Sequence, residues 1–340
     1  MISLNARCRS RLSAALFAPL CLVVAGAAFA QTLSADTLPE SGDFRVGVEP
    51  WLGYGQWYVA EDQGFLEENG LDSVDIVNFA EDKDINAALV SGDLDAASVA
   101  LHTAMAMKSS GVPIHIVTLL DVSEHADAMI ANADITSLND LAGKKIAYEE
   151  GTTSDILLRD ALKSAGMSID DIQPVPMPAS SAGSSLIAGR VPVAVTYEPY
   201  LSAAKANGNG LHVLYDGSDN PGLISDVLVV RDEVIDSRPG QVLAMVKSWD
   251  HAVEHYRAHR KDDQALIASA IGADATSLET AFDGVRYYTL ADTAAALDGE
   301  FLSKTFSNVL EAATQAGFVQ GDISADDLID TRFVDALGTQ

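Results

Sequence analysis

Apolar positions along this 340-residue chain fall into two alternating rhythms. Short, nearly continuous apolar runs stand at 44–48, 74–79, 96–100 and 114–120, and between them the apolar residues of 56–68 and 82–91 return every three or four positions. Runs bounded by turn residues predict buried strands, whereas the helical return predicts helices with one apolar face. The alternation resumes with strands predicted at 146–148, 172–175, 193–196, 211–214 and 227–230, and helices at 154–165, 181–188 and 199–207. Ser137 can cap a short helical turn that Gly143 closes. Pro199 suits a first helical turn, having no N–H to leave unpaired there.

The pattern also repeats at long range. Leu89-Val90-Ser91-Gly92-Asp93-Leu94-Asp95-Ala96-Ala97 is echoed 97 residues later by Leu186-Ile187-Ala188-Gly189-Arg190-Val191-Pro192-Val193-Ala194. Upstream, Arg45-Val46-Gly47-Val48-Glu49 is echoed 100 residues later by Lys145-Ile146-Ala147-Tyr148-Glu149. Each copy reads strand, glycine-bearing loop, helix, strand, helix, Gly, strand. The Gly after the second helix takes a left-handed C-cap without a Cβ clash. Duplicated strand–helix units predict an α/β protein of two similar lobes, with a small ligand in the crevice between them.

Beyond 230 the spacing is helical, at 239–257, 263–270, 277–283 and 300–316, with no strand pattern of its own. This tail is expected to wrap back onto the first lobe. The lobes are then 43–121 plus 230–335, and 122–229, joined by two crossings that form a hinge.

Residues 1–30 read as a secretory signal. Arg7, Arg9 and Arg11 precede an apolar run over 12–29, and Ala28-Phe29-Ala30 supplies small residues for cleavage before Gln31. The alternative, a membrane anchor, would need that run to span a hydrocarbon core of roughly 30 Å, for which it is only just long enough. Both cysteines, Cys8 and Cys21, fall inside this segment, so the exported chain has no disulfide, thiol nucleophile or thiolate ligand. Removing the signal takes the formal charge from −28 to −31. Such acidity opposes nucleic acid and anionic membrane surfaces.

Catalytic patterns are sparse. No HExxH, G-x-S-x-G or P-loop occurs, and Gly53-Tyr54-Gly55 lacks the remaining glycine of a dinucleotide fingerprint. His251, His255 and His259 share one helix face, either as metal ligands or as a solvated face among Glu254, Arg257 and Arg260. No cofactor and no catalytic residue is expected.

Binding chemistry is better supplied. Trp51, Tyr54 and Trp57 crowd the loop after the first strand, where aromatic rings exclude water and offer π-faces to a cation, or else form a lid over the lobe's own core. In the matching loop of the second lobe, Glu150, Thr152, Thr153 and Ser154 stand at a helix start whose free donors attract an anion, while the glutamates repel one. A ligand with both signs satisfies both. Tyr197 and Glu198 end the strand at 193–196; Glu198 either meets a ligand ammonium or serves as a helix N-terminal charge worth about 0.3–1 kcal/mol. Its counterpart loop in the first lobe carries His102 and Thr103, and Asp121 and Asp226 lie near the crossings.

Four segments carry a resemblance: Trp51 to Leu71, Leu89 to Ala97, Ser137 to Ala147 and Ala194 to Tyr200. Together they resemble the periplasmic solute-binding proteins of the nitrate/taurine/sulfonate class of ABC importers. The resemblance implies a type II periplasmic binding protein fold, each lobe a mixed sheet flanked by helices. It also implies a monomer exported to the periplasm that closes on a small solute and delivers it to a permease with its ATPase. In that family an acidic residue at the position of Glu198 meets the amine of a taurine-like ligand, and the loops matching 51–56 and 151–154 contact its other end. Arginine is absent from all these loops, which favours an amino-bearing solute over a strong anion such as nitrate. Two alternatives stand beside this one: a sensing partner of a membrane receptor, and an enzyme like those of similar fold that make a thiamine pyrimidine precursor. The latter use a cysteine-rich iron motif that the exported chain does not carry.

Overall fold

The computed structural model describes residues 33–338. The expected signal segment and both cysteines lie outside these residues. The described chain runs β1 (Asp43–Val48), α1 (Gln56–Asp62), α2 (Phe65–Glu68), β2 (Ser73–Asn78), α3 (Asp82–Ser91), β3 (Ala96–Ala100), α4 (Leu101–Ser109) and β4 (Ile114–Ser123). It continues through β5 (Asp127–Ala131), β6 (Lys145–Tyr148), α5 (Thr153–Ser164), β7 (Gln173–Pro176), α6 (Ala179–Ile187), β8 (Val193–Tyr197), α7 (Tyr200–Asn207), β9 (His212–Asp216) and β10 (Ser225–Arg231). The remainder is α8 (Asp232–Ser237), α9 (Pro239–Ala270), β11 (Val285–Tyr287), α10 (Leu290–Asp298), α11 (Ser307–Gln315), α12 (Ala325–Leu328) and α13 (Arg332–Gly338).

The strands form two mixed sheets, ordered β11-β4-β10-β3-β1-β2 and β7-β6-β8-β5-β9. In the first, β1 is parallel to β2 and β3, and β10 runs antiparallel to β3. In the second, β6 is parallel to β7 and β8, and β5 runs antiparallel to β8. The long-range echo is therefore structural: β2-β1-β3-β10 and β7-β6-β8-β5 are the same arrangement. Gly92 and Gly189 occupy equivalent helix ends with φ of 85° and 67°, a region that a Cβ disfavours. Central β3 is buried along its whole length, whereas edge strand β2 alternates with solvent.

Several local expectations change; in the tail, the helix expected over 277–283 is two separate 3-10 turns, Ala275–Leu278 and Ala281–Gly284, and α10 was not expected. The helix expected over 56–68 is broken into α1 and α2 by Gly64 at φ 77°. Helix α4 and strand β5, which carry no clear period, were absent from the pattern; both are almost wholly buried, so apolar residues occupy every face. The tail does contain a strand, β11, which pairs with β4. Finally, β10 inserts between β3 and β4 of the first sheet, so 225–229 pair with that sheet rather than with the one built from 127–216, where the expected 122–229 unit had put them.

Helix α9 covers both helices expected at 239–257 and 263–270, with a non-helical residue at His259 between them. Its inner face packs on α1: Gly55 lets Ile267 approach so closely that a Cβ would sit 2.4 Å from it, and the Trp57 and Trp249 rings lie 4.8 Å apart. The sheets are joined by two segments, 124–126 and 217–224, that run side by side. Ser123 donates its N–H to the Ile224 carbonyl at 3.0 Å, and its hydroxyl accepts from the Asp127 N–H at 2.9 Å.

Candidate ligand-binding cleft

Loops that follow parallel strands share one edge of an open sheet, and here those edges face each other. The cleft is bordered by residues just after β1, β2, β6 and β7, at the ends of β3 and β8, and at the starts of β5 and β10. It encloses about 480 Å³ not filled by protein, part of it open to solvent.

Trp51 and Tyr54 from the loop after β1 border this space, and Trp51 meets Tyr197 from the end of β8 edge to face, with centroids 6.0 Å apart. The backbone at Gly53 lies so close to its surroundings that a Cβ would sit 2.0 Å from Trp51 Nε1 and 2.3 Å from Asp121 Oδ2. Only glycine allows that approach. Burial first, and then neighbouring carboxylates, raise the Tyr54 and Tyr197 phenols above their ordinary range, so both are neutral hydroxyls with intact π-faces.

Carboxylates dominate the lining. Glu49 follows β1 and Glu149 follows β6, at matching places in the echo. Asp226 pairs in register with Ala100, the last residue of β3, and Asp127 pairs with Tyr197, the last of β8; these two strand ends correspond at the 97-residue offset. Two mirrored carboxylate pairs thus face the cleft, one member of each from each sheet, with Asp82 at the start of α3 as a fifth. Burial is the first cause that raises Glu49, and Asp82, Glu149 and Asp127 add to it in turn. Burial also pushes Asp82 and Asp127 up to about 7. Two unit charges 4 Å apart at an effective dielectric of 20 interact by about 4 kcal/mol, so such a gathering retains protons or recruits a cation.

Beneath them Asp121 is fully buried, and neither of its oxygens has an aligned hydrogen-bond partner among the described residues. It sits opposite Asp226 in the β4–β10 register. Burial raises Asp121 to about 8, with the neighbouring Trp51 indole pulling slightly the other way. No lysine or arginine borders the cleft. Nearby Lys83 is paired with Glu81, and Arg286 with Glu124 at 3.2 Å.

The loop before α5 is partly satisfied from within. Thr152 caps the helix by accepting from the Ser154 N–H and donates to the Glu149 carbonyl at 3.1 Å. The Gly151 N–H is taken by Asp155 at 3.0 Å, and the Ser154 hydroxyl bridges Glu149 N–H and the Val195 carbonyl. Thr152 and Thr153 border the cleft, and the N–H groups of both and the Thr153 hydroxyl have no partner among the described residues, so donors remain there.

Of the residues singled out from sequence, the fold brings Trp51, Tyr54, Thr152, Thr153, Tyr197 and Asp226 to the cleft, with Asp121 directly behind. It does not bring Trp57, which is fully buried and donates its indole N–H to Ser98 at 2.9 Å in the helix-packed core. His102 and Thr103 are buried on the first turn of α4, where His102 packs near Phe318 and burial lowers it to about 4. Glu150 is exposed, and its neighbour Glu149 takes the cleft position. Glu198 turns to its own helix and accepts from the Ser202 N–H and hydroxyl, both at 2.9 Å. The histidine face of α9 is engaged locally: His255 contacts Asp263 at 2.8 Å and stacks on His259, and His251 meets Asn69. Glu49, Asp82, Asp127 and Glu149 border the cleft but were not among the residues singled out. The repeat held a signal for Glu49 and Glu149, which close equivalent copies one residue past each strand.

The family profile described as NMT1/THI5 like matches residues 53–262. A protein of Brucella abortus named as a binding protein is 29% identical over 249 residues, covering 72% of this chain and 76% of that one. An Escherichia coli protein named for binding aliphatic sulfonates is 26% identical over 254 residues, covering 74% and 78%. The crystal structure of the periplasmic aliphatic sulphonate binding protein SsuA from Escherichia coli superposes with a TM-score of 0.70 at 22% identity, covering 85% of this chain and 98% of that one. The fold is thus that of the periplasmic binding proteins, with two α/β lobes.

Proposed function

The chain belongs to the NMT1/THI5-like family, and from that premise we propose that it is the exported solute-binding component of an ABC importer, taking a small amino-bearing solute between its lobes and handing it unchanged to a permease and ATPase. The observation that carries this reading is a cleft bordered by residues of both sheets at once, from Glu49, Trp51 and Asp226 on one side to Asp127, Glu149 and Tyr197 on the other. A solute touching both sides favours the closed arrangement by its differential affinity for it. The lobes follow the sheets: 43–123 with 225–335, and 127–216, hinged at the paired segments between. An amino group suits the carboxylate lining. The sulfonate end of a taurine-like zwitterion finds less support: the Thr152 and Thr153 N–H groups before α5 could donate to it, but no basic side chain borders the cleft to offset its charge.

The test is a thermal-shift screen of the exported protein against amines, amino acids, sulfonates and inorganic anions, followed by small-angle scattering with each hit. Binding confined to the native state raises stability by RT ln(1 + [L]/Kd), about 2.7 kcal/mol at one hundred times Kd. Compaction on binding, recovery of the solute unchanged and stimulation of the co-expressed transporter's ATPase support the reading. Conversion of the solute would replace it with an enzyme.

A further inference from the structure

Resting on that reading and narrowing its solute class, we propose that the cleft takes a small organic cation with two like-charged ends, a diammonium compound, and that neutralising the mirrored carboxylates is what lets the lobes close. The pairing carries the argument. Glu49 and Glu149 occupy equivalent positions on the two sheets, and so do Asp226 and Asp127, so the cleft presents the same charge from both sides. Bringing these faces together without a guest opposes like charges, whereas a guest positive at both ends meets Glu49 and Asp226 from one lobe and Asp127 and Glu149 from the other.

Asp226 is the independent sign of a missing partner. It is 4% exposed and borders the cleft, yet its carboxyl has no aligned hydrogen-bond partner among the described residues, and the residue opposite it in register is another buried carboxyl, Asp121. Trp51, Tyr54 and Tyr197 add π-faces, which attract ammonium groups in a site shielded from water. Nothing in the lining neutralises a sulfonate, since no basic side chain borders it.

Isothermal titration of the exported protein with 1,4-diaminobutane, butylamine, taurine and butanesulfonate tests this. The expected result is diamine binding at least tenfold tighter than butylamine, with no binding of butanesulfonate. Equal affinity for the monoamine, or no diamine binding at millimolar concentration, overturns the proposal. If taurine or butanesulfonate binds in the diamine's place, the cation inference falls while the solute-binding reading stands; if no member of the wider screen binds or compacts the protein, both fall. Two variants probe the pairs separately. Asp226→Asn and Glu149→Gln should each weaken the diamine at least tenfold; the ligand-free melting temperature should be unchanged or higher in Asp226→Asn, which removes a repelling charge, whereas Glu149→Gln also alters the carboxylate that accepts the Ala179 N–H at 2.9 Å at the start of α6 and is read by affinity alone. Full diamine affinity in both variants would sink the assignment.

Discussion

Trp51 and Tyr197 meet edge to face across the cleft, with ring centroids 6.0 Å apart and planes at 78°. One ring belongs to the loop after β1 and the other to the end of β8, so this contact joins the two sheets directly above the carboxylates. Tyr197 is in turn edge-on to Tyr200, 5.3 Å away, which ties the junction to the first turn of α7.

That geometry separates the tryptophans. Trp51→Phe should abolish most of a ligand-induced fluorescence change, and Trp51→Ala should weaken an ammonium ligand about tenfold, matching a cation–π and shielding contribution of about 1–2 kcal/mol. Trp57→Ala should leave affinity within about twofold and instead cost about 3–5 kcal/mol of stability, because it empties a core site against Trp249. Titration calorimetry and thermal unfolding of the same variants distinguish the two effects.

Glu198 offers a second contrast. As a ligand contact it would make Glu198→Gln lose more than tenfold in affinity. Its two bonds to Ser202 lead to the other outcome: affinity unchanged within about twofold, and a loss of about 0.5–1 kcal/mol from the start of α7.

Acidity should stabilise the ligand-free protein. Burial raises Asp127 from an ordinary 3.8 to about 7, with Glu198 and Asp82 adding to the rise and Ser123 opposing it. Burial raises Asp82 and the Asp121–Asp226 pair as well. Above about pH 4 the unfolded chain releases these protons while the folded chain keeps them, so stability falls as pH rises from about 5 to 8, by up to about 1.4 kcal/mol per pH unit for each such group. Thermal unfolding across that range should show the fall, and Asp127→Asn should flatten it. A cationic ligand should reverse the trend and release protons on binding, read as a dependence of the binding heat on the buffer's ionisation enthalpy. A ligand-free melting temperature that climbs from pH 5 to 8 contradicts the buried-carboxylate account.

Gly53→Ala should damage the site out of proportion to its size. The added Cβ would fall 2.0 Å from Trp51 Nε1 and 2.3 Å from Asp121 Oδ2, so the loop must move and carry Trp51 off Tyr197. Loss of ligand affinity with a stability cost of about 1–3 kcal/mol is expected. Gly143→Ala is a useful comparison: nothing lies near its Cβ, and only its φ of 70° resists the change.

Much of the fold was legible in the order of residues. Strand and helix periods, the glycines that stop α3 and α6, and the echo at about one hundred residues are local properties, and they sufficed for two alike α/β units with a cleft at their strand ends. Among the elements that escaped, α4 and β5 are buried on nearly every face and so carry no period to read, and β11, three residues long, is too short to show one. Tertiary structure alone decided which way each side chain of a mixed cluster turned. Trp51 and Trp57 are six residues apart on one aromatic segment, yet helix α9 claims one for the core and the facing lobe leaves the other at the cleft. Glu149 and Glu150 are adjacent, and the direction of β6 sends only the first inward. The convergence of Glu49, Asp127, Glu149 and Asp226 needed two chain crossings and an inserted strand, because charge at a site is the sum over residues that are distant in sequence and near in space.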